Sequence, residues 1–389
     1  MDSKLEQHEL LQAVQEGNSA RVAQLLTEQV DVEAIDDSGR TALMVAVQRN
    51  DVAMVERLLA AGSDPNHRDH TELTPFICAG ANGFSTSLEL MAQAGADVAS
   101  VNRFGGTALL PAAEKAYLRT VESCLSVGVP IDHVNYLGWS ALLEAVILGD
   151  GGRLYADVVQ TLYEAGATVD IQDFDGKTAI YYADEQKQNR VLEILTDTLE
   201  DPQHPALLEA KALAAIGDWN SAAQVVQTAL ESDGDNLDLL YYSGYYLASQ
   251  GRFEEALEQY SRALEVAPEE LEFYFYTAGC YRSMNQSEHA LLEFDKGAEL
   301  SAENSFFLYH KSNYLRELGR HGEAVDIMAM LVDRHPSRYD FWFHKANSLR
   351  SLGRHQDAIE AIEYAIQLQP NNPLYRKHKA QSEHLLEQN

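Results

Sequence analysis

The sequence predicts an all-α fold made of two successive arrays of helical repeats, and two regular spacings carry this prediction. In the first half, a hexapeptide that begins with Thr or Ser and ends with Ala recurs at an even interval, which lengthens only before the last copy. In the second half, a Gly or Asn, followed five positions later by Ala, recurs at a constant and slightly longer interval. Such periods are typical of units that each form a helix pair and share a core with their neighbours.

The first array is defined by its hexapeptide. The five copies are Thr41–Ala46, Thr74–Ala79, Thr107–Ala112, Ser140–Ala145 and Thr178–Ala183. A Thr or Ser oxygen can accept a hydrogen bond from an unpaired amide at a helix start, and the small Ala residues allow close packing. Apolar residues at helical spacing follow each copy and predict a second helix. This pattern resembles the ankyrin repeat. With a polar capping repeat before the first copy, the resemblance implies a domain of about six ankyrin repeats over residues 4–199.

A glycine stands in the turn before four of the five hexapeptides. These glycines are Gly39, Gly105, Gly138 and Gly176. The copy that begins at Thr74 has Glu72 in that place instead. Because a residue with a Cβ atom disfavours the left-handed backbone that glycine adopts, we expect this turn to be distorted.

Five extra residues separate the last two hexapeptides, and they fall within Gly149–Asp157. Residues 129–183 resemble a segment found in a group of bacterial ankyrin proteins, a resemblance that implies no established activity. Two interpretations of the insertion stay open. Surface loops lengthen at little cost, about 0.6 kcal/mol for each doubling of length. Alternatively, Tyr136, Trp139 and Asp150 form a protein-binding lip.

The second array carries a bulky–small alternation on its constant period. The recurring positions are Gly217, Gly251, Asn285, Gly319 and Gly353, with Ala222, Ala256, Ala290, Ala324 and Ala358. In the best copy, Leu240, Gly244, Leu247, Phe253, Ala256, Tyr260, Ala263 and Pro268 follow the pattern of the tetratricopeptide repeat, which this array resembles. The resemblance implies five repeats and a C-terminal capping helix over residues 203–389. The predicted fold is therefore an ankyrin-repeat solenoid followed by a tetratricopeptide-repeat superhelix.

The resemblance also indicates where a partner would bind, because in tetratricopeptide arrays the first helix of each repeat lines a groove. Aromatic, Arg and Asn side chains there are typical of binding hot spots. The candidate peptide-binding residues are Tyr242, Tyr245, Tyr276, Arg282, Tyr309, Asn313, Arg316, Phe343, Asn347, Arg350 and Lys377. A second interpretation stays open for the aromatic residues, which are often core residues in helical repeats.

Three of these candidates, Arg282, Arg316 and Arg350, recur at the period of the array. Arginine can form two parallel hydrogen bonds to a carboxylate, so this row favours an acidic or carboxylate-ended peptide. The alternative is that the arginines pair with nearby acidic side chains. A clamp that binds acidic heat-shock chaperone tails in some relatives is matched at Asn313, Asn347 and Lys377. It is not matched at Tyr309 and Gln381, so the resemblance to that clamp is partial.

The net charge of −31 opposes binding to nucleic acid or insertion into an anionic membrane. Residues 1–200 hold 13 Lys and Arg against 31 Asp and Glu, whereas residues 301–389 hold 11 of each. The acidic first array therefore favours a basic partner surface. The leading interpretation is a non-catalytic scaffold that binds one protein through each array. The alternative is an acidic inhibitor or immunity-type protein that covers a basic effector or toxin, whose binding would weaken steeply with salt.

Several classes of function lack a sequence signature. We find no nucleotide-binding loop, metal-binding helix or nucleophile motif, and we predict no enzyme, metal or cofactor. His133 and Glu144 are interpreted as surface or turn residues. The three cysteines are far apart, and neither a leader nor an apolar stretch long enough to cross a bilayer is present, so we expect a cytoplasmic protein.

Overall fold

The computed structural model describes residues 2–28, 30–198, 204–301, 305–370 and 372–387. The chain divides into two compact units, Met1–Leu199 and Glu200–Asn389. Within the described ranges every regular element is an α-helix, and the β pairing is limited to an isolated bridge between Ile35 and Thr41. This confirms the predicted all-α fold.

The N-terminal unit consists of helix pairs. Its helices are α1 Asp2–Gln15, α2 Ser19–Thr27, α3 Ala42–Gln48, α4 Val52–Ala60, α5 Pro75–Asn82, α6 Ser85–Gln93, α7 Leu109–Glu114, α8 Leu118–Ser126, α9 Ala141–Leu148, α10 Arg153–Glu164, α11 Ala179–Glu185 and α12 Asn189–Leu195. The first helix of each pair packs on the first helix of the next pair, and most second helices do the same. A continuous apolar core runs through the unit as a result.

The first residue of most hexapeptides caps a helix, as predicted. The Thr41 Oγ1 accepts a hydrogen bond from the Met44 amide at 3.3 Å, and Thr74, Ser140 and Thr178 bond their helices in the same way. Thr107 differs. Helix α7 begins later, after Ala108, and no side-chain cap is formed there.

One side chain organises the turn before each hexapeptide. The five residues are Asp36, Asp69, Asn102, Asn135 and Asp173, and the Oδ1 atom of each accepts hydrogen bonds from the amides two and four residues later. These bonds fix the loop even where the turn glycine is missing. Glu72 takes the left-handed conformation, with φ +66°, and its amide bonds the Asp69 carbonyl at 3.0 Å. The expectation of a distorted turn at Glu72 is therefore wrong.

The C-terminal unit consists of longer helix pairs. Its helices are α13 Pro205–Ala215, α14 Trp219–Leu230, α15 Leu237–Ser249, α16 Phe253–Val266, α17 Glu272–Ser283, α18 Ser287–Leu300, α19 Phe306–Glu317, α20 His321–Arg334, α21 Tyr339–Ser351, α22 His355–Leu368 and α23 Pro373–Glu387. Each helix packs on the one before it in the chain. Small residues permit these contacts, since a Cβ atom on Gly244 would lie 2.3 Å from Cε1 of Tyr260.

Candidate functional site

The insertion Gly149–Asp157 is packed into the N-terminal unit. It forms a tight turn and then the first residues of α10. The Gln188 side chain donates hydrogen bonds to the carbonyls of Val146 at 2.9 Å and Gly149 at 3.0 Å. The buried Tyr155 donates its hydroxyl to the Glu114 carbonyl at 2.6 Å. The extra residues thus lengthen a helix and anchor it to its neighbours.

The predicted lip of Tyr136, Trp139 and Asp150 is not present as a surface. Trp139 is only 2% exposed, so the prediction that it contacts a partner is wrong. Its amide bonds the Asn135 side chain, within the loop that places the ring in the core. Asp150 is half-buried and accepts a hydrogen bond from the Gly152 amide at 2.9 Å. Tyr136 alone of the three has an exposed side chain, at 42%.

Glu144 lies inside α9 and is buried, so its interpretation as a surface or turn residue is also wrong. Its Oε1 accepts a hydrogen bond from Asn135 Nδ2 at 2.7 Å, whereas its Oε2 is buried without a hydrogen-bond partner. Burial, together with the nearby Glu114 carboxylate, raises the pKa of Glu144 well above its ordinary value. The fold therefore favours the neutral form of this side chain.

Five of the predicted peptide-binding residues are buried between helices of the C-terminal unit. They are Tyr242, Tyr276, Tyr309, Phe343 and Asn347. Phe343, for example, is 1% exposed and packs against Tyr375 of the next first helix, with ring centroids 5.4 Å apart. The alternative interpretation, that first-helix aromatic residues are core, is the correct one for these positions. The prediction that these five side chains contact a peptide at the surface is therefore wrong.

A ladder of alternating aromatic and histidine rings, which the sequence reasoning missed, joins the last first-helices. His310, His344 and His378 recur at the period of the array. Each packs against a ring from the preceding helix pair, on Phe275 at 5.0 Å, Tyr309 at 5.5 Å and Phe343 at 4.9 Å respectively. The spacing alone was visible in the sequence. We define these rings as the histidine ladder.

Burial and the positive charge of Arg316 lower the pKa of His344 to about 3. The imidazole is therefore neutral near pH 7 and can accept a hydrogen bond. Arg338 also lowers this pKa, whereas Asp340, one helical turn before His344, raises it.

Arg282, Arg316 and Arg350 form a row across three first helices, and each contacts the next helix pair. Arg282 Nη2 donates to Glu317 Oε2 at 2.9 Å. Arg316 Nη1 contacts Asn313 Oδ1 at 3.2 Å and His344 Nδ1 at 3.1 Å. Arg350 donates to Gln381 Oε1 at 2.9 Å and to Asn347 Oδ1 at 3.0 Å. We call these three residues the arginine row.

The arginine row is partly exposed, and its contacts differ along its length. Arg282 forms an ion pair with Glu317, as the alternative interpretation of the arginines predicts. The contacts of Arg316 with Asn313 and His344, and those of Arg350 with Asn347 and Gln381, are to uncharged groups. Such contacts orient a guanidinium group.

The remaining candidates are Tyr245 on α15 and Lys377 on α23. Tyr245 is half-buried and stacks on Tyr241, with centroids 6.1 Å apart. Lys377 is exposed on α23.

Over the parts of the chain that the structure describes, no group of three or more His, Cys, Asp or Glu side chains could hold a metal ion. Nor does any helix in those parts have both the length and the hydrophobicity of a membrane span.

Two family models match the chain. The ankyrin-repeat model matches three copies over residues 10–102. The tetratricopeptide-repeat model matches residues 207–270, 244–304 and 309–373. Both kinds of repeat are generally protein–protein interaction modules. The comparison with curated proteins gives no match.

Several solved structures are similar to the ankyrin part. An ankyrin repeat domain from Acinetobacter baumannii is 37% identical, with a TM-score of 0.48, over 49% of this chain and 97% of that one. A second ankyrin repeat protein is 35% identical, with a TM-score of 0.47, over 49% and 97%. One chain in the structure of a predatory endopeptidase from Bdellovibrio bacteriovorus in complex with an immunity protein is also similar. It is 26% identical, with a TM-score of 0.43, over 49% of this chain and 97% of that one.

Proposed function

We propose that this chain, a fusion of ankyrin repeats with tetratricopeptide repeats, is a non-catalytic adaptor that binds a separate partner protein through each array. The ankyrin domain covers residues 4–199 with six repeats, and the tetratricopeptide domain covers residues 203–389 with five repeats and a capping helix. Its cysteines, Cys78, Cys124 and Cys280, are buried free thiols, which suits the reducing cytoplasm. The ligand of the tetratricopeptide domain is an acidic or carboxylate-ended peptide.

The arginine row is the observation that carries this choice of ligand. Three guanidinium groups stand one repeat apart on successive first helices, and side chains of the same or the next helix pair hold them in place. Preorientation reduces the entropy that a long side chain loses when a ligand binds. A planar guanidinium group also matches a carboxylate in geometry, so a row of them, in which Arg282 already pairs with Glu317, suits a peptide with several carboxylates.

The electrostatic surroundings of the row favour an anion as well. Residues 301–389 have equal numbers of acidic and basic residues, in contrast to the acidic remainder of the chain. An acidic peptide therefore meets less repulsion at this end of the molecule than elsewhere.

A second set of arginines provides a matched control. Arg252, Arg320 and Arg354 also stand at one position of the repeat, at the start of a second helix. Each forms an ion pair with the acidic residue three positions later, Glu255, Glu323 or Asp357. Replacing either set with Gln removes the same net charge. Only the replacement of Arg282, Arg316 and Arg350 alters the arginine row.

The test is the affinity of the full-length protein for a labelled Glu-rich peptide, measured by fluorescence anisotropy. We expect the Arg282→Gln, Arg316→Gln, Arg350→Gln variant to bind at least about tenfold more weakly than wild type, since losing charge-assisted hydrogen bonds costs about 1.4 kcal/mol or more in total. The Arg252→Gln, Arg320→Gln, Arg354→Gln variant should bind like wild type. Equal weakening in both variants would show that binding depends only on net charge and would contradict the proposal. Absence of binding by wild type would also contradict it.

A further inference from the structure

Aromatic side chains form an exposed strip along the last loops of the ankyrin unit. Tyr136 and Phe174 occupy the same position, directly after the Asx residue that organises each loop, and they are 42% and 53% exposed. Tyr181, on α11 behind the last loop, is 44% exposed. Phe104 is half-buried in the loop before Tyr136. We call these four residues the loop-tip strip.

Contacts between adjacent loops make the strip continuous. The Tyr136 amide bonds the Phe104 carbonyl at 3.0 Å, and the Tyr136 ring covers Gly105, where a Cβ atom would lie 2.7 Å from the ring. The Phe174 ring covers Gly138 of the Tyr136 loop in the same way. Each ring is therefore fixed against the preceding loop while much of its surface stays open to solvent. Contiguous exposed apolar surface of this kind marks interaction sites.

At the loop position of Tyr136 and Phe174, aromatic residues stand only in the last two loops of the unit. At the loop position that Tyr136 and Phe174 occupy, the earlier loops have Asp37, His70 and Arg103. The strip is thus a local departure from a polar series. It does not follow from the fold, because the same backbone hydrogen bonds form in loops with polar tips.

Several loops of this unit carry exposed acidic side chains. Asp37 and Glu72 in the earlier loops and Asp175 beside Phe174 are exposed. The basic side chains of these loops contact groups within the unit, and the Arg103 Cζ lies 4.7 Å from the centre of the Phe104 ring. The Arg68 Nη1 donates to the Glu72 and Val101 carbonyls, and the Lys177 Nζ lies 4.6 Å from the centre of the Tyr181 ring. Residues 1–200 hold 31 acidic against 13 basic residues, so the unit that carries the strip has a net negative charge.

We infer that the loop-tip strip binds a protein segment in which an apolar side chain is flanked by Lys or Arg. The apolar side chain packs on the exposed faces of Tyr136 and Phe174, and the flanking basic residues meet exposed carboxylates of the unit. This inference rests on the proposed function in assigning a separate partner to each array. The segment expected at the loop-tip strip is basic, whereas the peptide expected at the arginine row is acidic.

The test selects random peptides displayed on phage against the full-length protein and sequences the binders. Enriched peptides are then measured against a Tyr136→Ser, Phe174→Ser variant. The matched control is Leu300→Ser, Tyr364→Ser, because those side chains are similarly exposed, at 58% and 51%, but lie in the other unit. Thermal unfolding of both variants checks that the folds are kept.

We expect one enriched class to combine an apolar residue with flanking Lys or Arg. Its affinity should fall about tenfold or more in the strip variant and stay unchanged in the control and in the arginine-row variant. The inference is overturned if no basic-apolar class is enriched, or if that class binds the strip variant as well as wild type. Failure of the arginine row would appear separately, as acidic peptides whose binding does not depend on Arg282, Arg316 and Arg350.

Discussion

Replacing Glu144 with Gln should stabilise the protein at neutral pH. The fold favours the neutral carboxyl, whereas in the unfolded chain the same group ionises near its ordinary pKa of 4.5. Because the folded pKa is raised, stability is lost as the pH rises above 4.5. The loss is about 1.4 kcal/mol for each pH unit through which Glu144 keeps its proton. Above pH 4.5 the loss grows with pH for as long as Glu144 keeps its proton in the fold.

Glutamine abolishes this loss, but its amide nitrogen replaces Oε2, which lacks a hydrogen-bond partner. Burying an unsatisfied donor costs about 1–2 kcal/mol and offsets part of the gain, so we expect Glu144→Gln to be more stable than wild type at pH 7 by what remains. The Asn135 hydrogen bond to Oε1 is kept.

Urea unfolding followed by circular dichroism at several pH values measures the effect, with the exposed Glu56→Gln on α4 as control. The advantage of Glu144→Gln should shrink as the pH falls toward 4.5. A gain that does not change with pH, or a loss at pH 7, would refute the reasoning.

Three further changes test the packing. Acid should destabilise the C-terminal unit through His344, because its folded pKa of about 3 lies below its unfolded value of 6.5. Stability then falls by up to about 1.4 kcal/mol per pH unit as the pH drops below the unfolded value, and a pH series of urea midpoints should show a shallower slope in His344→Gln. Gly244→Ala should cost about 1–3 kcal/mol in thermal unfolding because its Cβ would lie 2.3 Å from Tyr260, whereas Gly279→Ala, with nothing within 4 Å, should cost nothing. Glu72→Gly should raise the unfolding free energy by about 0.5 kcal/mol, because it relieves a left-handed φ of +66° while loosening the unfolded chain; a decrease would contradict this.

The periodic features of the fold could be predicted from the sequence because they depend on local chemistry. A Thr or Ser before an apolar run caps a helix in most copies of the hexapeptide, as Thr41 and Thr178 do. The turn at Glu72 was mispredicted because the Asp69 side chain, and not the glycine, determines the loop geometry.

The direction of an individual side chain depends on its neighbours, and here sequence reasoning was weaker. Tyr136 and Trp139 lie close together in one loop, yet one ring is exposed and the other is buried against the unit. The sequence did contain a signal that Glu144 is buried. The other hexapeptides place Val45, Cys78, Pro111 and Tyr182 at its position, so burial of that position could have been inferred from the copies.

Hydrogen–deuterium exchange of the full-length protein, with and without the Glu-rich peptide, tests the adaptor proposal at the arginine row most directly. If the peptide lies along the row, slower exchange should appear in the first helices α17, α19 and α21 and should be lost in the Arg282→Gln, Arg316→Gln, Arg350→Gln variant. Protection that instead falls on the second helices α18, α20 and α22, or on the ankyrin unit, would contradict it.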